Sequence, residues 1–281
     1  MSLTPASTPC PAPTAPANVL SIAGTDPTGG AGALGAYGMA VVTAVVAQNT
    51  QAVRVVSPLA PELVQAQLKA VFEDVAVAAV KIGMVANAGI AEAIAEVLAR
   101  HRPPFVVFDP VMAASTNKRL MNESDLARIR TALLPQVSLL TPNLKEAARL
   151  LGIAQPVDEA GMHACLPALQ ALGVPNVLLK GGHLADDTPD APESTDLLAT
   201  PEGVIRLSAP RITTRHGHGT GCTLSSAIAA LWPRHGLEKA TRMAKDYVHG
   251  ALLHADALRV GHGRGPLHHF WQAVHLPGQL A

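Results

Sequence analysis

A glycine-rich segment, His218–Thr223 with the sequence HGTGCT, stands immediately before an alanine-rich stretch with helical spacing. Glycines let the backbone turn sharply and let a ligand approach closely, and a helix start presents free N–H groups and the positive end of the helix dipole. This combination predicts an anion hole suited to a phosphoryl group in transfer, although a glycine cap of a helix is the structural alternative. The candidate catalytic residues are Cys222, at the helix N-terminus where a thiolate is stabilised, and the backbone of Gly219, Thr220 and Gly221.

A second glycine-rich segment, Gly24–Gly32, follows the apolar run Val19–Ala23. Such a segment after a first strand brings backbone close to a ligand. It matches neither G-x-G-x-x-G nor the phosphate-binding G-x-x-x-x-G-K-[ST], so an ordinary turn is an equal alternative.

Polar side chains follow three further apolar runs, at Asp109, at Asn143 and at Lys180. Because ligands of an open α/β sheet bind beyond the carboxyl ends of the strands, these positions are candidates for a common site. Lys180, which precedes Gly181 and Gly182, either approaches a phosphate or is a solvated lysine at a strand end.

Asn143 and Glu146 are three residues apart at a helix start, a spacing that is typical of a reciprocal N-terminal cap. The functional alternative is that their oxygens face the cleft and hold a hydrated Mg²⁺ near phosphates, with Asp109 as a further ligand. The predicted metal residues are Asp109 and Glu146.

The elements that must position these residues alternate along the chain. Strands that are apolar throughout indicate a parallel sheet covered by helices, so we expect an α/β fold. The strands are predicted at Val19–Ala23, Val41–Val46, Ala79–Ile82, Phe105–Phe108, Val137–Leu140 and Val177–Leu179. The helices are predicted at Pro61–Phe72, Ala88–Arg100, Ser124–Leu133, Leu144–Leu151, Glu159–Leu172, Cys222–Leu231 and Leu237–Leu258. Antiparallel edge strands are predicted at Asp196–Leu198, Val204–Leu207 and Ile212–Thr213.

Composition limits the function classes. The 281 residues are 48% hydrophobic and carry no net charge, which argues against a nucleic-acid or membrane-surface protein and leaves a small molecule as the expected partner. Three widely spaced cysteines form no disulfide or zinc pattern, so we expect a reduced cytoplasmic setting. The proline-rich segment 1–18 predicts a disordered tail, followed by one domain over residues 19–275.

Several motifs, in this order, resemble the hydroxymethylpyrimidine/phosphomethylpyrimidine kinases of thiamine biosynthesis, which belong to the ribokinase-like superfamily. They are SIAGTDPTGGAG, LGAYGMAVVTAVVAQNT, KIGM, LLPQVSLLTPNLKEA, KGGH, HGTGCTLS and VGHGRGPLHHF. The resemblance implies a three-layer ribokinase-like sandwich with a mostly parallel sheet. It also implies the use of ATP and Mg²⁺ to phosphorylate 4-amino-5-hydroxymethyl-2-methylpyrimidine and then its monophosphate. A homodimer is expected on the same ground.

The resemblance also implies roles for individual residues. Gln48 would hydrogen-bond the pyrimidine ring, and Cys222 stands where the wider superfamily places an aspartate base. The other substrate residues implied are Met84, Val111, Ala23 and Asp26. The nucleotide residues implied are Asn143, Lys180, Gly181, Asp196 and His218.

Two departures from the family pattern stand out. The family carries roughly nine more residues between Gly32 and Leu34, whereas a parallel crossover needs about a dozen residues and typically a helix. The sequence leaves open whether these residues are truly absent and whether activity survives without them. His216-Gly217 also replaces the Asn-Thr of the family before the HGTGC segment.

Three other functions remain as alternatives. A pyridoxine or pyridoxal kinase is close, because relatives phosphorylate vitamin B6. A catalytically impaired pyrimidine-binding homologue is favoured by the short crossover and disfavoured by the intact HGTGC segment. A dinucleotide oxidoreductase is disfavoured because no G-x-G-x-x-G follows the first strand.

Overall fold

The computed structural model describes residues 16–25, 34–112, 123–182, 184 and 193–274 of the chain. The strands, in chain order, are β1 (Ala17–Ala23), β2 (Ala36–Val42), β3 (Ala44–Gln48), β4 (Val53–Pro58), β5 (Ala79–Ile82), β6 (Val106–Phe108), β7 (Leu139–Leu140), β8 (Asn176–Lys180), β9 (Glu193–Thr200) and β10 (Gly203–Pro210). The helices are α1 (Pro61–Phe72), α2 (Ala88–His101), α3 (Glu123–Leu133), α4 (Leu144–Leu151), α5 (Glu159–Gln170), α6 (Thr220–His235), α7 (Leu237–Leu253) and α8 (Trp271–Val274).

The main sheet has eight strands in the order β10-β9-β8-β7-β6-β5-β1-β2. Neighbouring strands in the part β8-β7-β6-β5-β1-β2 of this sheet pair in parallel. Strand β9 pairs antiparallel with both β8 and β10. The predicted α/β class and the antiparallel edge are therefore confirmed. Strands β3 and β4 form a separate two-stranded antiparallel sheet, the flap, which begins just past the carboxyl end of β2.

Helices cover both faces of the sheet. Successive residues of a strand point to opposite faces, so Leu20 and Ile22 of β1 pack with α1 to α5, whereas Val19 packs with α6 and α7. Helix α6 lies across β1, β5 and β6, and its first turn lies at the carboxyl edge of the sheet. Within the described residues, no helix has both the length and the apolarity to cross a membrane.

The predicted strand Val41–Val46 is two strands that belong to different sheets. Thr43 breaks it: its backbone N–H donates to Ala23 O at 2.9 Å, and its hydroxyl donates to Met84 O at 2.8 Å. The apolar run is continuous, so periodicity gives no sign of this break. The flap strand β4 was not predicted from the sequence.

Other element boundaries also differ from the sequence prediction. Ile212–Thr213 is not a strand, because β10 runs on to Pro210, whose residue type has no N–H to extend a ladder. Helix α7 ends at Leu253, and a single 3₁₀ turn at Ala255–Ala257 replaces the rest of the predicted helix. Helix α6 starts two residues before the predicted Cys222 and continues past Leu231 to His235.

The first crossover joins two directly paired parallel strands. Only twelve residues, 24–35, connect Ala23 to Ala36, yet β1 and β2 pair along seven positions. Residues 26–33 lie outside the described residues, as do residues 1–15 of the predicted tail. Strand β1 starts at Ala17, inside the predicted tail, because Ala17 and Asn18 pair with Ala36 and Tyr37.

Candidate active site

Lys180 and Asp109 form an ion pair at the carboxyl edge of the sheet. Lys180 ends β8 and Asp109 follows β6, and the Lys180 ammonium donates to Asp109 Oδ1 at 2.7 Å. Their side chains are only 15% and 3% exposed. The Thr141 hydroxyl adds a longer hydrogen bond to the same oxygen at 3.4 Å. Two of the predicted strand-end residues therefore meet, and Thr141 supports them.

The first turn of α6 lies directly against this pair. Gly219 caps the helix with a φ of 83°, in the left-handed region that favours glycine. A methyl group on Gly221 would stand 3.2 Å from Lys180 Nζ and 3.4 Å from Asp109 Oδ2, so a larger residue would push the pair aside. Cys222 is a half-buried cysteine that forms no disulfide, and it lies close enough to interact electrostatically with Lys180. The predicted anion hole and the predicted phosphate lysine are thus one site.

The predicted reciprocal cap at the start of α4 is confirmed. Asn143 Oδ1 accepts from Glu146 N at 2.9 Å, and Glu146 Oε2 accepts from Asn143 N at 2.8 Å. The amide oxygen of Asn143 is therefore already bound by a backbone N–H of the protein. The backbone of Asn143 also forms a parallel β-bridge with Lys180.

Glu146 has an unusual pKa because of its surroundings. Burial raises the pKa of Glu146 to about 7, with Asp109 adding to the effect and Lys180 opposing it. Burial alone would lower the pKa of Lys180, but the carboxylates of Asp109 and Glu146 outweigh burial and raise it above its ordinary value. The Lys180 ammonium group therefore interacts electrostatically with two carboxyl groups, those of Asp109 and Glu146.

The chemistry of this donor set fits Mg²⁺ in part. Among the described residues, no cluster of three or more His, Cys, Asp or Glu side chains could hold a metal ion. Mg²⁺ in phosphoryl-transfer sites, however, takes only one or two carboxylates and completes its shell with water and phosphate oxygens. Asp109 and Glu146 are two such carboxyl groups, and both already interact with the positive charge of Lys180.

Asp196 binds two other groups near Lys180. Its Oδ1 accepts from Gly181 N at 3.0 Å, and its Oδ2 binds the Lys245 ammonium at 2.6 Å. Gly181 passes so close to Thr195 that a side chain would collide with the Thr195 carbonyl. Asp196 therefore fixes the backbone that follows Lys180.

Two of the predicted substrate residues, Ala23 and Met84, lie at the ends of β1 and β5, beside the flap. Thr25 ties the end of β1 to the flap, since its N–H donates to Ala44 O at 3.0 Å and its hydroxyl accepts from Val46 N at 2.8 Å. A side chain on Gly24 would collide with the Met84 methyl group, so Met84 lies under this junction. Ala23 lies close by, since its Cβ is 3.4 Å from the position that a methyl group on Gly83 would occupy.

The remaining predicted substrate residues differ in what the structure says of them. Gln48 ends β3 and faces a cavity. Val111 is held next to the ion pair, because its N–H donates to Asp109 O at 2.8 Å. Asp26 lies outside the described residues.

A cavity of about 360 Å³ lies between the flap and the start of α6. The residues that line it are Gln48, Asn49, Thr50, Gln51, Ala52, Val53, His218, Gly263 and Arg264. Residues 263–265, here called the C-terminal loop, border the cavity through Gly263 and Arg264. Arg264 N donates to Thr50 O at 2.8 Å, and Gly263 N donates to the Thr50 hydroxyl at 3.1 Å. His218 is held from the same loop, since its N–H donates to Gly265 O at 3.1 Å.

Sequence reasoning missed two groups of this site. The C-terminal loop belongs to the motif VGHGRGPLHHF, to which no role was given. Lys81 belongs to KIGM; it is buried in β5 with 2% exposure, and its ammonium group reaches the position beside Gly83 just past the strand end. The signal in both cases was a nearby glycine, Gly263 in the loop and Gly83 two residues after Lys81, because glycine lets another group approach the backbone closely.

The sequence matches a known protein family and is similar to known kinases. A sequence model of the family described as phosphomethylpyrimidine kinase matches residues 26–268. The hydroxymethylpyrimidine/phosphomethylpyrimidine kinase of Escherichia coli (strain K12) is 50% identical over 263 residues, which cover 90% of this chain and 97% of that protein.

Two solved structures share the fold. The pyridoxal kinase of Bacillus subtilis, in complex with ADP, superposes with a TM-score of 0.82 at 27% identity and covers 92% of this chain and 99% of its own. The phosphomethylpyrimidine kinase of Clostridium difficile 630 gives a TM-score of 0.71 at 34% identity, over 83% of this chain and 98% of its own.

Proposed function

The chain belongs to the phosphomethylpyrimidine kinase family, and we propose that it transfers the γ-phosphoryl group of ATP to 4-amino-5-hydroxymethyl-2-methylpyrimidine and then to the resulting monophosphate, a step of thiamine biosynthesis. The observation that carries this proposal is the position of the Lys180–Asp109 pair against Gly221, in the first turn of α6. A fixed cation and a row of helix N–H groups then face the same point. Phosphoryl transfer needs mainly such positioning and charge stabilisation.

The first transfer starts from a neutral alcohol. Cys222 takes or orients the proton of the hydroxyl while its oxygen attacks the γ-phosphorus. The amides of Gly219 to Cys222 and the Lys180 ammonium stabilise the charge that spreads over the transferred group. ADP leaves, and no covalent intermediate with the protein is needed.

Asp109 and Glu146 are the residues that would hold Mg²⁺. Bound Mg²⁺ would neutralise phosphate oxygens of ATP. The elevated pKa of Glu146, about 7, means that this carboxyl group gives up its proton when a cation is bound beside it.

The acceptor ring belongs at the ends of β1 and β5, under the flap. Met84, Ala23 and Val111 offer apolar contacts there, and Gln48 at the end of the flap strand offers a polar group to the ring. The neighbouring cavity of about 360 Å³ falls in the size range of small-molecule pockets. Asp26 remains a predicted substrate residue.

A kinase assay read by mass spectrometry tests the proposal. Purified protein and MgATP are incubated in parallel with the hydroxymethylpyrimidine or with pyridoxine. We expect the pyrimidine to be converted first to the monophosphate and then to the diphosphate. Binding of the pyrimidine without any turnover would replace the proposal with the catalytically impaired homologue and would make the short first crossover the first suspect.

A pyridoxal kinase activity is the second candidate, because one specific observation favours it. The superposition on the Bacillus subtilis pyridoxal kinase has the higher TM-score of the two structures described above, although the sequence identity is lower. Phosphorylation of pyridoxine but not of the pyrimidine in the same assay would establish this activity instead.

A homodimer is a further proposal, which rests on the family. The flap exposes aliphatic side chains on its outer face, with Val45 52% and Val55 56% exposed. Light scattering on purified protein tests it, and a monomeric mass at assay concentrations would contradict it. The cytoplasmic setting likewise stays a prediction.

A further inference from the structure

Lys81 is a buried cation on the acceptor side of the site. It lies on β5, between Ser21 of β1 and Val107 of β6, on the face that α6 covers. The residue is 2% exposed and is among the largest fully buried side chains of the protein. Lysines are almost never buried to this extent without a partner of opposite charge.

The Lys81 side chain runs along its strand towards the carboxyl edge of the sheet. A methyl group on Gly83 would collide with Lys81 Nζ and would lie 3.4 Å from Ala23 Cβ. The ammonium group therefore occupies the space that the absent side chain of Gly83 leaves. This places it beside Ala23 and Gly83, at the ends of β1 and β5, where the acceptor is proposed to bind.

No partner for this ammonium group is found in the described part of the chain. Its side chain makes no hydrogen bond or ion pair there. The two other lysines of the site do have partners, since Lys180 binds Asp109 at 2.7 Å and Lys245 binds Asp196 at 2.6 Å. Within the part of the chain that the structure describes, Lys81 is thus a buried cation whose charge remains available to a ligand.

The two proposed transfers differ in the charge of the acceptor. The hydroxymethylpyrimidine is a neutral alcohol, whereas a phosphate ester carries a charge of about −1.5 to −2 at neutral pH. Bringing this anion against the polyphosphate of ATP costs energy through like-charge repulsion, most of all in a buried site. The second transfer therefore needs a cation on the acceptor side, which the first does not.

We propose that Lys81 binds the phosphate group of the monophosphate acceptor and so makes the second phosphoryl transfer possible. This inference rests on the proposed function. In that step an oxygen of the acceptor phosphate forms the new bond to the γ-phosphorus, the bond from the γ-phosphorus to the bridging oxygen breaks, and ADP leaves. The attacking oxygen is already anionic, so no base has to remove a proton.

The test compares Lys81→Met with the wild-type protein on each acceptor, supplied separately with saturating MgATP. We expect kcat/KM for the monophosphate to fall about 100-fold, which is the factor that one charge-assisted hydrogen bond to a buried anion provides. We expect kcat/KM for the hydroxymethylpyrimidine to change by less than about threefold. An equal loss on both acceptors, or no loss on the monophosphate, would overturn the proposal.

Direct binding provides a readout that does not depend on turnover. In calorimetric titration without nucleotide, the Kd of the monophosphate should rise about 100-fold in Lys81→Met, while the Kd of the hydroxymethylpyrimidine stays within about threefold. An unchanged Kd for the monophosphate contradicts the assigned contact. A wild-type protein that phosphorylates neither acceptor contradicts the proposed function instead, so the two failures are distinct.

Two further variants serve as a second test and as a control. Gly83→Ala keeps the charge of Lys81 but places a methyl group where its ammonium lies, so it should lower the second transfer selectively as well. Lys239→Met removes a charge from the exposed surface of α7 and should leave both transfers unchanged. If Lys81→Met does not fold, as judged by its thermal transition, the ratio of the two transfers in Gly83→Ala decides.

Discussion

The proposed nucleotide side of the site, around Lys180, Asp196 and Lys245, and the proposed acceptor side, around Lys81, hold their cations in opposite ways. On the nucleotide side, Lys180 and Lys245 are each bound by a carboxylate at 2.7 Å or less. On the acceptor side, Lys81 is buried with no such partner among the described residues. The ion pairs around Lys180 and Lys245 are therefore in place before any ligand binds, whereas under the proposal Lys81 would gain its counter-charge from the substrate.

This difference matches what each side has to bind. ATP enters in both proposed transfers, so a pre-formed arrangement of charges serves both equally well. The acceptor changes from a neutral alcohol to an anion between the two transfers. A cation without an internal partner can serve the anion without having to break an existing ion pair.

Cys222→Ala should give the largest effect. Loss of the group that accepts the proton is expected to lower kcat for the hydroxymethylpyrimidine on the order of 10³-fold, since a positioned base contributes about 10² to 10⁴, with binding of the pyrimidine largely kept. The monophosphate should suffer less, because its attacking oxygen carries no proton that must be removed. Steady-state kinetics on both acceptors measure this, and unchanged turnover of the alcohol would remove Cys222 from the mechanism.

Lys180→Met should come next, with kcat lowered on the order of 300-fold for both acceptors, as expected for one stabilising charge at the transferred group. The two acceptors should be affected alike because Lys180 belongs to the nucleotide side. A loss confined to one acceptor would break the proposed division between the two sides. The kinetic series used for Lys81→Met provides the measurement.

The two lysine side chains should also differ in what their removal does to stability. Lys245→Met leaves the Asp196 carboxylate buried without its cation and should lower the free energy of unfolding by about 3 kcal/mol. Lys81→Met strands no carboxylate among the described residues, so stability should stay level or rise. Urea unfolding of both variants measures this, and an equal destabilisation would mean that Lys81 has an internal partner after all.

Glu146 should give the site a pH dependence near neutrality. Its folded pKa of about 7 lies above its ordinary value of 4.5, so its protonated form contributes stability that is fully present below pH 4.5 and is lost as the pH rises through 7. Catalytic activity should increase with pH where stability decreases, by about tenfold from pH 6 to pH 8 as the carboxyl group of Glu146 ionises. Higher Mg²⁺ should move the midpoint to lower pH, because the metal competes with the proton.

Glu146→Gln provides the matched control for that profile. This variant keeps the shape of the side chain but cannot ionise, so both the stability change and the Mg²⁺-dependent midpoint should disappear. Rate profiles at two Mg²⁺ concentrations and thermal unfolding between pH 5 and pH 8 report the two quantities. A midpoint that Mg²⁺ does not move would argue against Glu146 as a metal residue.

A surface ion pair gives the baseline for all these effects. Arg242 and Glu238 are four residues apart on α7, and their side chains are 49% and 54% exposed. Arg242→Ala should lower the free energy of unfolding by only about 0.4 kcal/mol and leave both transfers unchanged. Urea unfolding measures it, and a loss comparable to that of Lys245→Met would remove the contrast between buried and exposed pairs.

The sequence by itself determined the features that short-range physics encodes. Apolar runs and helical spacing placed most of the parallel strands and helices, because each pattern repeats over a few residues. The glycines before α6 and the cap formed by Asn143 and Glu146 were also readable, since each involves backbone groups within one turn of chain. The order of the motifs indicated the protein family, and that resemblance gave the expected reaction and site residues.

Only the tertiary structure decided which charges meet. Lys180 and Asp109 are 71 residues apart, and their contact follows from the order of strands in the sheet, which no local period encodes. The break at Thr43 and the flap strand after it depend on hydrogen bonds to Ala23 and Met84, not on the composition of the run. Lys81 reaches the site because Gly83 leaves space for its ammonium group, and the direction of a side chain becomes fixed only when its neighbours are packed around it.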